Sequence, residues 1–198
     1  MLTPAAYLTI DDPPSKREIL RTALRLFAEK GVDAVTVREI AEQAGYTNPA
    51  LFKFFATKDA LALHLFERCY EQLYDHLHAA TAGAATFAAR LAVIAGVCIE
   101  QIERDPDAFL FVQDSLRILW PRVSARTRRK SILSLIRQTL EQGIAEGVVR
   151  GTNADLLVAA ITGTLQQFAR MLHFGHLKGA ARNWLPAMQD LITHMVAP

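Results

Sequence analysis

A chain of 198 residues with 51% hydrophobic and 21% charged residues has the composition of an ordinary globular protein, which excludes disorder as its main state. A formal net charge of +2 announces no polyanion partner by bulk charge alone, and two cysteines, Cys69 and Cys98, set in apolar stretches do not make a disulfide framework. No apolar run reaches the ~20 residues that cross a bilayer; with Asp11 and Asp12 and no basic residue in the first 14 positions, no secretory signal is expected, and a cytoplasmic protein is.

The expected fold class is all-α, because Val and Ile are scattered among Ala, Leu, Glu, Gln and Arg. Residues 1–14 read as a flexible arm ending in Pro13-Pro14. Ser15-Lys16-Arg17-Glu18 reads as a capping box, followed by Ile19, Ala23, Leu26 and Phe27 at helical spacing and by Gly31 as a stop. A second box, Thr36-Val37-Arg38-Glu39, opens helix two, which buries Val37, Ile40, Ala41 and Ala44 and ends at Gly45. Thr47 or Asn48 caps helix three, Pro49 favouring Asn48, and that helix runs to about Phe55. Thr57 caps a long helix four, Lys58 to about Ala80, with Ala62, Phe66, Cys69, Leu73 and Leu77 on one stripe. Helix five spans Thr86 to Arg104, helix six Ala108 to Leu119, helix seven Ser124 to about Glu146, helix eight Asn153 to about Phe174 and helix nine Ala181 to Val196. A functional boundary is placed near residue 57, with no linker.

Two short helices joined by a glycine-containing turn make the helix-turn-helix pattern, whose second helix enters a major groove. Helix three opens on small and polar groups, Asn48, Pro49 and Ala50, that permit close approach. Phe52 and Phe54 can offer ring edges to phosphate, sugar or thymine methyls, and Lys53 is its strong cation. Thr36, Thr47 and Lys58 stand at helix starts, where free N–H groups favour phosphate, and Arg38 lies beside Thr36. From Ser15 to Lys58 there are eight basic and five acidic residues, a modest footprint that favours a dimer reading two half-sites.

Residues 15–61 carry Ile19-Leu20-x-x-Ala23-x-x-Leu26-Phe27-x-x-x-Gly31, then Thr36-Val37-Arg38-Glu39-Ile40-Ala41-x-x-Ala44-Gly45, then Ala50-Leu51-Phe52-x-x-Phe55-x-x-Lys58-x-x-Leu61. This run resembles the DNA-binding region of the tetracycline-repressor (TetR) family; Gly143-Ile144-x-x-Gly147-x-Val149-Arg150 is a weaker second likeness. Tyr46 replaces a small aliphatic, Phe52 a tyrosine, and Phe54 a histidine or tyrosine, which removes two typical phosphate hydrogen bonds. The resemblance implies a homodimer of nine-helix subunits and operator binding by the first three helices, hence a DNA-binding domain at 15–57. It also implies a ligand-binding and dimerisation domain at 58–198, pairing through the helices near 153–174 and 181–196. A ligand would shift helix four, and such proteins are usually repressors without enzymatic activity.

The helices after residue 57 suggest a cavity lined by Phe66, Tyr70, Val97, Cys98, Gln101, Phe109, Phe111, Gln113, Trp120 and Gln167, suited to a largely apolar small-molecule effector. Ordinary core packing is the competing reading for these aromatics and for the two cysteines. Helix eight (Leu156, Leu157, Ala160, Thr164, Gln167, Phe168, Met171) and helix nine (Trp184, Leu185, Met188, Leu191, Ile192, Met195) are too apolar for solvated helices, which marks an interface. No cofactor and no metal are expected: His173, His176 and His194 have no Cys or carboxylate cluster to complete a site. The basic run Arg122, Arg126, Arg128, Arg129, Lys130 reads either as an anion contact or as a solvated helix start. An enzyme, or a helical interaction module without DNA binding, are the alternatives; neither a nucleophile–base set nor a phosphate loop supports the first.

Overall fold

A computed structural model describes residues 7–9, 11–151 and 153–198, and every regular element among them is helical. In chain order these are α1 (Pro14–Lys30), α2 (Val37–Gln43), α3 (Asn48–Phe52), α4 (Lys58–Ala82), α5 (Phe87–Arg104), α6 (Pro106–Leu119), α7 (Ala125–Arg128), α8 (Ile132–Ala145), α9 (Ala154–His173) and α10 (Leu185–Val196). One-turn 3-10 segments at Trp120–Arg122 and Ala181–Trp184 follow α6 and precede α10. Helix seven is interrupted: Ser124 caps α7 by accepting the Thr127 N–H, and Ser131 caps α8 by accepting the Ser134 N–H. Two competing caps seven residues apart restart the helix; counted as one interrupted helix, α7 and α8 restore the nine expected.

The chain forms two compact units, residues 1–72 with 107–129, and 73–106 with 130–198. In the first, α1 buries Ile19, Leu20, Ala23, Leu24, Leu26 and Phe27, and the Phe27 ring stacks on Phe111 at 5.8 Å. The opening turns of α4 add Leu61, Ala62, Leu65 and Phe66, all fully buried. This compact unit therefore extends past residue 57, where the functional boundary was set, because those side chains and α6 complete its core.

The start of α1 departs from the expected capping box. Pro14 is the first helical residue, Pro13 the cap, and Ser15 lies inside the helix without a capping role. Proline already has its φ set for a helix and no N–H to satisfy, so it begins the helix a residue early. Of the arm expected at 1–14, residues 1–6 and 10 lie outside the described residues; among the described ones Tyr7, Leu8 and Asp12 are buried. Asp12 accepts the Thr9 N–H at 3.1 Å and the Lys16 ammonium at 2.7 Å. Burial alone would raise the Asp12 carboxyl, but hydrogen bonds from Lys16 and Thr9, with the Lys16 charge, hold its pKa down at about 2.

In the second unit α5, α8, α9 and α10 pack on one another. Gln189 Nε2 donates to the Ala92 carbonyl at 3.1 Å, and the Arg150 N–H to the Val196 carbonyl at 2.9 Å, fastening α10 near its middle and at its C-terminal end. Gly143 allows the closest approach: a Cβ there would stand 2.5 Å from Val149 Cγ2 and 2.7 Å from the Phe87 ring. Cys98 is buried in this unit, which pushes its thiol up to about 12.

Candidate nucleic-acid interface

Helix α2 starts as expected. Thr36 Oγ1 accepts the Glu39 N–H at 3.1 Å. The Glu39 carboxylate takes the Lys30 ammonium at 2.6 Å, and the hydrogen bonds from Lys30 and from the Thr36 backbone hold it below its ordinary pKa. Ile40 and Ala41 face inward, while Arg38 is exposed and paired along the helix with Glu42 at 2.7 Å, so its guanidinium is free to exchange that carboxylate for a phosphate. Gly45 sits at φ +75°, a left-handed turn conformation that a side chain would strain, and the Tyr46 N–H donates to the Ala41 carbonyl at 2.8 Å. The chain then reverses into α3.

Thr47, not Asn48, is the extended residue at the start of α3, and its carbonyl accepts the N–H groups of Ala50 at 3.0 Å and Leu51 at 3.3 Å. Asn48 and Pro49 are the first two helical residues. The helix divides cleanly. Leu51 and Phe55 are buried, and Ala50 and Phe54 are half-buried. Thr47, Asn48, Pro49, Phe52 and Lys53 are exposed. The Thr47 hydroxyl makes no capping hydrogen bond, and Lys53 has no ion-pair partner among the described residues. The five-residue helix and its two flanking residues thus present an amide, a hydroxyl, a ring and a cation to solvent.

Two expected members change role. Lys58 is not a phosphate-facing cation: its ammonium donates to the carbonyls of Val32 at 2.7 Å, Val35 at 2.7 Å and Asp33 at 3.3 Å, so all three protons go to the loop between α1 and α2. The start of α4 is capped instead by Thr57, which accepts the Ala60 N–H at 3.0 Å. Phe54 is half-buried and leaves the exposed edge to Phe52. The basic run after α6 is a solvated helix start rather than a free anion site: Arg122, Arg126, Arg128 and Arg129 are exposed, and three of its five cations are paired with carboxylates. Arg122 pairs with Asp59 at 3.0 Å, Arg126 with Glu71 at 3.1 Å and Lys130 with Asp75 at 2.7 Å, while the Thr127 hydroxyl donates to Glu71 at 2.7 Å.

Below the helix-turn-helix lies a group that spacing did not single out. Lys16 sits over the Phe55 ring at 5.8 Å, and that ring meets His64 at 5.2 Å. His64 Nε2 is buried without a hydrogen-bond partner, and burial with the nearby Arg68 and Lys16 charges lowers its pKa, which keeps the imidazole neutral near pH 7. The histidine on α4 carries no local signal in the sequence, because its partners come from α1 and from the residues after α3.

The residues expected to line a ligand cavity divide between the units. Phe66, Tyr70, Phe109 and Phe111 are buried in the first, where Phe66 stacks on Tyr70 at 5.8 Å and Tyr70 meets Trp120 at 4.9 Å; Gln113 is half-buried. Val97 and Gln101 line a groove of about 490 Å³ in the second unit with His76, Glu100 and Arg104, and the Arg104 guanidinium donates to Gln101 at 2.7 Å. Cys98 is core there and Gln167 is exposed on α9.

A helix-turn-helix with a buried inner face and an exposed polar edge on its second helix defines a DNA-binding protein. The family model for "Bacterial regulatory proteins, tetR family" matches residues 19–65. The HTH-type transcriptional repressor KstR2 of Mycobacterium tuberculosis (strain ATCC 25618 / H37Rv) is 30% identical over 151 residues, covering 74% of this chain and 76% of KstR2. The solved structure of the ketosteroid transcriptional regulator KstR2 of Mycobacterium tuberculosis superposes with a TM-score of 0.80 at 25% identity, over 91% of this chain and 94% of that one. The transcriptional regulator FadR of Bacillus subtilis, solved in complex with stearoyl-CoA, shares the fold, with a TM-score of 0.68 at 19% identity over 89% of this chain and 96% of that one. The chain belongs to the tetR family of bacterial regulatory proteins. It is a DNA-binding transcription regulator, as its relatives are, and neither an enzyme nor a bare interaction module. No described helix is long and apolar enough to cross a membrane.

Proposed function

We propose that this chain is a cytoplasmic repressor that binds a palindrome-like operator as a homodimer and is released by a small, largely apolar ligand. The observation that carries the reading is the exposed edge of α3, Thr47 to Lys53, set on a helix whose other side is buried. Thr36, Arg38, Thr47 and Lys53 are assigned to phosphates, and Asn48, Pro49, Ala50 and Phe52 to the groove floor. One five-residue recognition helix per subunit is too small to specify a site alone, so two half-sites about one helical turn (~34–36 Å) apart, or a multiple, are expected.

The dimer reading is supported by apolar surface that the subunit leaves in water. Leu157, Phe168, Met188 and Ile192 are buried within the chain, so the excess is narrower than the sequence suggests. What is exposed forms a stripe on α9, Leu156, Ala159, Ala160, Gly163 and Gln167, with Leu156 65% exposed, and Leu191 on α10 is exposed as well. Small residues on such a stripe allow close helix contact. For the ligand, Phe66 and Tyr70 on α4 form an apolar cluster with Trp120, and the first two are buried, so a ligand would have to open this packing to reach them. The stearoyl-CoA held by FadR also has a long apolar body. A releasing ligand must favour the DNA-incompetent state by a few kcal/mol.

The test is selection of genomic DNA fragments by the purified chain, with sedimentation of the free protein. Enrichment of two-fold-related sites and a dimer at micromolar concentration are expected. A monomer, or no enrichment over competitor DNA, would overturn the proposal. Release by a panel of acyl and polycyclic compounds then tests the ligand class.

A further inference from the structure

The recognition edge of α3 holds an apolar group in water. Phe52 is 48% exposed, although Leu51 beside it and Phe55 beyond it are buried. Asn48 and Phe52 stand four residues apart, one helical turn, on the same exposed face. Leu51 and Phe55 already occupy the inner side of this turn, so Phe52 has no place in the core. A phenyl ring left in water forgoes the stabilisation that burial brings, and this one lies on the surface that meets DNA. It has neither donor nor acceptor, so it cannot hold a phosphate oxygen or a base amide. Among the base edges of the major groove, the apolar group is the C5-methyl of thymine.

We infer that Phe52 is a specificity-determining residue that covers the C5-methyl of one thymine in each operator half-site. The inference rests on the operator-binding reading above and assigns to one side chain one base position. Lys53 and Thr47, flanking the helix, carry the phosphate contacts that fix the helix in register, while the methyl contact supplies sequence preference without a hydrogen bond. Phe54, half-buried, takes no part.

The test uses duplexes selected by the full chain from a random pool. Each thymine is then replaced in turn by deoxyuridine, which pairs identically and lacks only the methyl. For the wild-type chain, one position per half-site is expected to lose about fourfold in affinity, and about fifteenfold when both half-sites are changed, from a methyl-sized apolar contact. Phe52→Leu, still apolar, keeps a deoxyuridine effect at that position; Phe52→Ala binds more weakly and shows none. A flat deoxyuridine scan in the wild-type chain overturns the inference, as does an effect of equal size in Phe52→Ala. If Phe52→Ala does not fold, the wild-type and Phe52→Leu scans decide. A pool that yields no enriched sequence defeats the operator-binding reading and this inference together, whereas an enriched operator with a flat scan defeats the role of Phe52 alone.

Discussion

Replacing Lys58 with methionine keeps the aliphatic stem and removes an ammonium that donates to three carbonyls, two of them at 2.7 Å. Hydrogen bonds from a charged donor contribute about 1.5–3 kcal/mol each, but carbonyls at the half-exposed rim of the α1–α2 loop can turn to water. The net loss is therefore expected near 2 kcal/mol rather than the sum of the three. In a chain of this length that lowers the thermal midpoint by about 4–8 °C, measurable by circular dichroism. Operator affinity falls with stability, yet its salt dependence should match the wild type, because no phosphate contact is lost. Lys53→Met should do the opposite: the same midpoint, and a salt slope smaller by about one per subunit. A Lys58→Met chain with an unchanged midpoint and a reduced slope would refute the reasoning and put the ammonium on the DNA backbone.

Asp12 titrates at about 2 when folded, against an ordinary 3.8, so its charged form stabilises the fold by about 2 kcal/mol above pH 4 and the gain is lost as pH falls through 2. Denaturant titrations should accordingly show Asp12→Asn less stable than wild type at pH 6 and the gap closing toward pH 2; a pH-independent gap would remove the carboxylate from the account. Gly143→Ala should destabilise the second unit by about 1–3 kcal/mol despite alanine's better helix propensity, since its methyl meets Val149 and Phe87; an unchanged urea midpoint would contradict that packing. Cys98, with its thiol pushed up to about 12, and buried Cys69 should resist a thiol reagent at pH 8 until the chain unfolds, and rapid stoichiometric labelling of the native protein would count against that burial.

Much of the architecture was legible because its causes are local. The α4 stripe from Ala62 to Leu77 repeats every three to four residues and is buried throughout. Thr36 with Glu39, Thr57 and Thr86 announced helix starts that the structure keeps. Ser15 misled because the same four-residue box lay behind Pro14, a stronger start, and Ser131 was overlooked as a second cap inside an unbroken apolar pattern. Spacing proposes residues of α3 for the interface, but not their division into exposed and half-buried, which depends on how Phe54 and Phe55 settle against the rest of the unit. Lys58 could not be assigned at all from spacing. Its partners are backbone carbonyls 23–26 residues earlier, and a carbonyl leaves no mark in a sequence. The basic run after α6 hid its pairing for the same reason: its carboxylates lie 55–63 residues back, on α4.

The first compact unit closes only with the opening turns of α4 and with residues 107–129, and Phe27 of α1 rests on Phe111 of α6. The operator-reading segment is therefore not a portable cassette. A fragment cut at residue 57 would strip Leu61, Leu65, Phe66 and Phe111 from the core and leave Lys58 behind, along with its hold on the α1–α2 loop. Recombination between regulators of this build should seldom succeed at that point, however natural it looks on a linear map. New operator preferences would arise instead by changing single exposed positions on α3, such as Asn48 or Phe52, where nothing inside the subunit depends on the side chain.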